Sequence, residues 1–404
     1  MDNGSVRFIG LDIHKEYFIA VGVNAQCEVV FGPQRSSVYQ PEDRMQRYLT
    51  PKDAIVLEMT ANTYAFYDAI LPRVQSAMVV HPPQVALVTN VPVKPDKKAA
   101  LALAQLHAAG MLTGAWIPPN KVQDSRALIA QWEKMVRLST MAKNRLQALL
   151  HRDHLLLPEK LFAPEQCNWW KNLPLCATEQ FLVSSNLNTL EFAQKQVEQI
   201  ELCLKQESGQ DERIPLLVQL PGVAFLTAIT TLAAIGDITR FPNAKKLVGY
   251  AGLGARIHDS GMTHNSGRIS NAVRKDLRRA MVNAANHAVQ YHAHWKKELA
   301  QMKPHLGRSK AIVAIARKLL VALWHVLSRQ VADRFAEPRD VARSLLAHAY
   351  KVGMKNLPEQ QPPIAFTRNR LDRLHIGIDL DLKEVRWGSD YRKLPLSKLS
   401  LEKK

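Results

Sequence analysis

The sequence predicts an α/β domain at the N-terminus followed by a helical remainder. Three observations carry this division. Short apolar runs alternate with helical segments from residue 7 to about 116. Two long amphipathic patterns follow, over 124–150 and 189–206. A Pro-Gly turn between helical stretches then opens at Leu220. The expected organisation is 1–118 as the α/β domain, 119–210 as coiled-coil helices with an insert, 211–335 as a helical domain, and 336–404 as an extension.

The first run, FIGLDIHKEYFIAVGV, alternates as a strand. Ile9, Leu11 and Ile13 face one way, and Gly10, Asp12 and His14 the other. A lone aspartate in an apolar strand costs several kcal/mol to bury unless it is paired or binds a metal. AIVLEMT reads as a short buried strand ending at Glu58, closed by Thr60, Ala61 and Asn62. VQSAMVVHPPQVALVT supplies the last strand. The prolines of Val91-Pro92-Val93-Lys94-Pro95 keep the chain extended before DKKAALALAQLHAAG, a helix with Asp96 as its expected N-cap. Positions 96 and 99 share one helix face, and position 99 is alanine. Carboxylates on two strand ends and a helix start can converge on a pair of Mg²⁺ ions about 3.5–4 Å apart. The competing readings are a capping Asp96 and a solvated Glu58.

After the turn Trp116-Ile117-Pro118-Pro119-Asn120, Leu128, Trp132, Met135, Leu138, Ala142, Leu146 and Leu149 recur at helical spacing. Leu190, Ala193, Val197, Ile200 and Leu204 repeat the pattern. Such paired helices form an antiparallel or intermolecular coiled coil. Trp169 and Trp170, in the insert between them, read as local core. Leu220-Pro221-Gly222-Val223 reads as the turn of a helix-hairpin-helix, able to present amides to a phosphate. A basic stretch follows, with Arg256, His258, His264, Arg268, Arg274, Lys275, Arg278 and Arg279. Its last four cations form one stripe on a helix, balanced in sequence only by Asp276. Backbone neutralisation of DNA or RNA is preferred over a merely solvated face. Ser260 and Ser266 each precede a glycine in this stretch, which is expected to be a loop. A serine there can attack a phosphodiester when arginines hold the phosphate. In the extension, Asp379 and Asp381 echo the first strand but have no partner helix, so they are set aside, and the tail reads as an edge strand or flexible segment.

GLDIHK, VLEMT and KPDKKAALALA together resemble the RuvC-like, RNase H-fold domain of the DEDD insertion-sequence transposases, the IS110 family. LPGVAFLTAITTLAAIGDITRF, NAKKLVGYAGLGARIHDSG and SGRISNAVRKDLRRAMVNAAN resemble the helical domain of the same family, in the same order. The resemblance covers about residues 7 to 330 and fades after 335. It implies an RNase H-like fold, Mg²⁺ held by Asp12, Glu58 and Asp96, and Ser260 as nucleophile, with Ser266 as rival. It also implies a composite site built by two subunits of a dimer or tetramer, and a bridge RNA that pairs with donor and target DNA. The family carries a second aspartate where this chain has Ala99. The alanine marks a loss, natural or introduced, or a place where another group substitutes.

Composition agrees with a polyanionic partner. The chain has 54 basic and 36 acidic residues, a formal charge of +18 and an isoelectric point near 9.8. Lys94, Arg256, Arg268, Arg274, Lys275, Arg278 and Arg279 are the expected nucleic-acid contacts. No apolar run is expected to cross a membrane, and the start lacks a signal-peptide pattern. Cys27, Cys167, Cys176 and Cys203 are scattered without metal spacing, as reduced thiols of a cytoplasmic, nucleoid-associated protein would be. Two other classes compete: a junction-selective nuclease using carboxylates and water without a serine, and a nucleic-acid-binding protein inactivated by Ala99.

Overall fold

The computed structural model describes residues 6–39, 48–82, 95–260, 263–269, 273–377, 382–397 and 399. The chain divides into two compact units, Met1–Pro119 and Asn120–Lys404.

In the first unit, β1 (Phe8–Ile13), β2 (Tyr17–Val23), β3 (Val29–Ser37), β4 (Ala54–Glu58) and β5 (Ser76–Val80) form one sheet in the order β3-β2-β1-β4-β5. β1, β2 and β3 pair antiparallel, whereas β4 and β5 run parallel to β1. The alternation in β1 decides what covers each face. Ile9 and Leu11 pack with Leu57, Phe66 and Ile70, the last two from α1 (Thr63–Ile70). On the opposite face lies α2 (Asp96–Ala108), with Leu103 against Val56 and Val80, and Ala100 against Ile19 and Val21. The sheet is thus a layer between two helices.

Gly10 governs how closely α2 approaches. A Cβ there would lie 2.0 Å from the Ala100 carbonyl oxygen and 2.6 Å from the Ala104 nitrogen. Only a residue without a side chain lets helix backbone rest on β1 at this point. The strand ends are tied by Arg7, whose Nε and Nη2 donate to the fully buried Asp53 at 2.8 and 2.7 Å.

In the second unit, α3 (Asn120–Arg152) and α5 (Ala177–Ser208) pack along one another, joined by an insert containing α4 (Cys167–Lys171). Leu146 and Leu150 cluster with Val183 and Leu190, while Ile129 and Met135 share a core with Ile200 and Leu204. The start of one helix therefore meets the end of the other, and the pair is antiparallel within one chain. Trp170 belongs to this core and donates to the Leu161 carbonyl at 3.2 Å. α5 begins twelve residues earlier than its apolar spacing suggests. Phe181 and Leu182 sit exposed and obscure the period, and the helix start is instead marked by Glu179 accepting from the Cys176 amide at 3.0 Å.

The chain continues through α6 (Arg213–Val218), α7 (Phe225–Ile235), α8 (Ala244–Ala251), the hairpin β6 (Ala255–Ser260) and β7 (Thr263–Ile269), α9 (Lys275–Tyr291) and α10 (Ala293–Arg329). At the α6–α7 turn Gly222 has φ +79°, and a Cβ there would come within 2.1 Å of the Ala284 carbonyl on α9. Helix packing alone demands that glycine. Contrary to the sequence expectation, α10 is long and apolar enough by composition to cross a membrane. It is nevertheless no straight rod. It breaks at Gly307, φ +71°, and Lys318 pairs with Glu298, twenty residues away. On a straight helix those residues would stand about 30 Å apart. The halves fold back on one another, and Ile315, Leu319, Leu320 and Leu323 are fully buried in the unit's core.

The extension is also more ordered than its sequence suggests. α11 (Pro338–Val352), α12 (Pro363–Arg373) and the hairpin β8 (Glu384–Trp387) and β9 (Asp390–Lys393) enclose a core of Leu345, Leu346, Leu371 and Val385. Glu212 accepts from Arg370 at 2.7 Å and Arg373 at 2.8 Å, clamping α12 to the start of α6. Part of this core was legible, since Val341, Ala342, Leu345 and Leu346 recur at helical spacing along α11; the short α12 and the hairpin that close it carry too few apolar residues to show a period. Asp379 and Asp381 lie outside the described residues.

Two outcomes follow from this packing. Gly10→Ala should lower unfolding free energy by about 2–4 kcal/mol in urea titrations, since α2 must move to admit a methyl group; unchanged stability would refute the close contact. His348 on α11 is 3% exposed, and neither ring nitrogen meets a partner among the described residues. Burial, aided by the Arg370 charge, pushes its pKa down to about 4. The unfolded chain therefore takes a proton that the folded one refuses, so stability falls between about pH 6.5 and 4, by on the order of 3 kcal/mol. His348→Phe should flatten that slope, as read by urea midpoints at pH 7 and 4.5.

Candidate functional site

The site in the first unit grows from two neighbouring strand ends and one helix start. Parallel register aligns Leu11 with Leu57, so Asp12 and Glu58 are the next residues on adjacent strands. Strands in a sheet are about 4.8 Å apart, which brings the two backbones side by side. Gly10, two residues before Asp12, lets α2 press against the same face, and that contact delivers Asp96 to Asp12.

His14 joins the two aspartates. Its Nε2 lies 3.5 Å from Asp12 Oδ2 and 3.2 Å from Asp96 Oδ2. One donor atom from each of Asp12, His14 and Asp96 falls within 4.8 Å of the others, close enough to hold a metal ion. Tyr17 Oη donates to Asp96 Oδ2 at 2.8 Å, and its ring stacks on His14 with centroids 4.7 Å apart. The Tyr17 hydrogen bond, helped by His14 and Arg35, holds the Asp96 carboxyl below the usual range. The same bond pushes the Tyr17 phenol up. Arg35 lies over the Tyr17 ring at 3.9 Å. Beside them opens a cleft of about 360 Å³ lined by Arg35, Lys97 and Asp96 among others. Two cations lining the cleft together with the Asp96 carboxylate suit a phosphodiester backbone approaching a metal.

The structure departs from the expected site in several places. Asp96 is the first helical residue, not the N-cap. Pro95 takes that position, and the Asp96 carboxylate turns to Tyr17 and His14 as well as to its own backbone amide. Glu58 adjoins Asp12 in register but is not part of the close three-residue group; its carbonyl accepts from Thr63 Oγ1 at 3.0 Å where the strand turns into α1. Ala99, one turn on from Asp96, is half-buried and offers a methyl group only. His14 was foreshadowed by strand alternation, which puts it on the Asp12 face. Tyr17 and Arg35 had no signal, because they reach the site through β2 and β3. Lys94 lies outside the described residues.

In the second unit, the segment expected to be a basic loop is the antiparallel hairpin β6–β7. Its strands are mostly polar, with Ile257 and Ile269 too isolated to show the apolar alternation by which strands are read. Ser260 pairs with Thr263 at the closing end, while Ser266 pairs with Ile257 in the body. Arg256 and Arg268 belong to the same two strands. The stripe on α9 is less free than its sequence suggests. Arg274 pairs with Asp276 at 2.8 Å, and Arg279 pairs with Glu133 of α3 at 3.0 Å. Glu133 is remote in sequence, so the balance by Asp276 alone was an underestimate. Lys275 and Arg279 are exposed, Arg274 and Arg278 half-buried.

Replacing Tyr17 with Phe should raise the titration midpoint of Asp96 toward ordinary carboxylate values, as followed by carboxyl carbon NMR. A depressed Asp96 favours the fold at neutral pH and loses that contribution as pH falls through its folded pKa. An unmoved midpoint would assign the depression to His14 and Arg35 alone.

Residues 214–301 match the transposase domain described as the IS116/IS110/IS902 family. The chain is 22% identical over 350 residues to the transposase for insertion sequence element IS1111A of Coxiella burnetii, covering 81% of this chain and 92% of that protein. It is 23% identical over 347 residues to a probable family 20 transposase of Pseudomonas aeruginosa, covering 81% and 98%. A pilin gene-inverting protein of Moraxella bovis is 35% identical over 121 residues, 29% of this chain and 37% of its own length. The matched domain and the two nearly full-length relatives make this chain similar to the transposases of the IS110 family.

Proposed function

We propose that the protein is the recombinase of an insertion sequence, cutting and rejoining DNA strands with metal-binding carboxylates and a serine nucleophile. The observation that carries this reading is the meeting of Asp12 and Asp96, 84 positions apart, beside a cation-lined cleft. The sheet order, three antiparallel strands followed by two parallel ones, agrees with an RNase H-like, RuvC-like domain. The α6–α7 pair with its Gly222 turn agrees with a helix-hairpin-helix.

The residues present fit a divalent ion. Asp12 and Asp96, with Glu58 at the adjoining strand end, offer the hard oxygen ligands that Mg²⁺ takes. His14 adds a nitrogen that Mn²⁺ accepts more readily. When bound, the ion neutralises charge on the scissile phosphate and lowers the cost of the leaving oxygen. The protein's own groups do the rest. Arg35 and Lys97 hold the backbone at the cleft. Ser260 attacks phosphorus through Oγ, forming a phosphoserine ester while the departing sugar oxygen takes up a proton. Arg256, Arg268 and Arg274 hold the phosphate for that attack, and Lys275, Arg278 and Arg279 neutralise its neighbours. A bridge RNA would select the sites by base pairing, leaving charge and chemistry to a dimer or tetramer of this chain. The net charge of +18 supports two nucleic-acid partners.

Strand cleavage with Mg²⁺ and with Mn²⁺ tests the chemistry. Ala99→Asp should raise Mg²⁺-dependent cleavage by at least about tenfold, by restoring a ligand oxygen one helical turn from Asp96. No gain would mean that position 99 does not belong to the metal site. Ser260→Ala should abolish strand joining and any covalent protein–DNA species; retained cutting would identify a junction nuclease using water. Sequencing the nucleic acid that copurifies should return one defined short RNA, and a random RNA background would remove the guide from the reading.

A further inference from the structure

A cavity of about 750 Å³ lies in the second unit where α10 folds back about Gly307 and meets residues 331–335. Its floor is aliphatic, formed by Val321, Ala322 and Val326, with the exposed Val331 also in the lining. Along its lining stands Trp295, 3% exposed, whose indole N–H finds no acceptor among the described residues. Nδ1 of His325, in the same lining, is also buried without a partner. An indole nitrogen only donates, and a buried donor left unmade costs about 1–3 kcal/mol. A ligand bearing an acceptor would recover that loss.

The rim carries the opposite requirement. Arg317, Arg329 and Arg334 are exposed around the cavity. Among the described residues no carboxylate pairs with Arg317 or Arg329, whereas Lys318 is occupied by Glu298. Arg334 is held over Phe335 at 4.4 Å, and that ring also stacks on His294 at 3.7 Å and meets Trp295 edge-on at 6.1 Å. Phe335 thus serves to fix Arg334 and His294 in place. A ligand that satisfies floor, wall and rim together has a flat apolar body, acceptors on its edge and an anionic group.

We propose that this cavity binds a nucleotide unit, its base on the aliphatic floor with an edge acceptor toward Trp295 and its phosphate among Arg317, Arg329 and Arg334. A volume of this size accommodates such a ligand. The proposal rests on the nucleic-acid reading above, but it concerns an unpaired nucleotide and is remote in sequence from Asp12, Asp96 and Ser260. The nucleotide could belong to a single strand or be free in solution.

The test uses the full chain in EDTA, with fluorescein-labelled hexathymidylate followed by anisotropy and adenosine 5′-monophosphate followed by calorimetry. Ala322→Trp fills the floor without altering charge, and Val331→Trp fills it from the other side should the first variant lose its circular dichroism. Either filled variant should bind the hexamer about tenfold more weakly, while affinity for a blunt 20-base-pair duplex stays unchanged. Arg317→Ser with Arg329→Ser should weaken the hexamer and reduce its salt slope by about one to two. Hexamer binding sensitive to filling without monophosphate binding assigns a strand; monophosphate binding abolished by filling assigns a free nucleotide. Hexamer and monophosphate binding both indifferent to filling, or duplex binding lost in parallel with the hexamer, would overturn the proposal. Binding is read without metal, so failure of Mg²⁺-dependent cleavage in both the wild-type protein and Ala99→Asp would sink the recombinase reading and leave this result standing.

Discussion

The contact between Gly10 on β1 and the backbone of α2 is the constraint on which the first unit depends. With the Ala100 carbonyl 2.0 Å from where a Cβ would sit, the helix main chain rests directly on the strand at this point. That intimacy places the first turn of α2 beside the end of β1, so that Asp96 reaches Asp12 and His14. A helix standing off by the width of one methyl group would separate the carboxylates. Packing and chemistry are set by the same glycine.

Electrostatic arrangement then decides which charges remain available. Several of the cations are held by internal acids: Arg7 on Asp53, Arg274 on Asp276, Arg279 on Glu133, and Arg370 with Arg373 on Glu212. The more exposed of these, such as Arg279 with Glu133, add little stability but fix side-chain positions, whereas Asp53 and Arg370 are buried and depend on their partners. Arg35 and Lys97 by the acidic cleft, and Arg317 and Arg329 by the α10 cavity, lie where a polyanion can reach them. Net charge alone makes no distinction between these groups. The cations beside cavities, more than the stripe on α9, mark where a phosphate would be held.

The second unit shows how far apolar period can mislead. α10 satisfies the length and composition of a membrane span, yet Gly307 breaks it and its apolar face closes the core. α5 hides its first three turns behind exposed apolar residues, and the C-terminal extension closes the apolar face of α11 with short pieces that show no period of their own. In each case the deciding contacts join residues remote in sequence.

By itself, the sequence determined the local preferences: the alternation of β1 with Asp12 and His14 on one face, the turn at Glu58, the helix from Asp96, and the antiparallel capacity of α3 and α5. These depend on periodicity and on glycine or proline, which act over a few residues. Tertiary structure decided which groups meet. His14 bridging Asp12 to Asp96, Tyr17 arriving through β2, Glu133 neutralising Arg279, and the hairpin carrying Ser260 all require strand register or helix docking. Long-range contact is fixed by packing of whole faces, and no local pattern of residue types encodes the distance between two such faces.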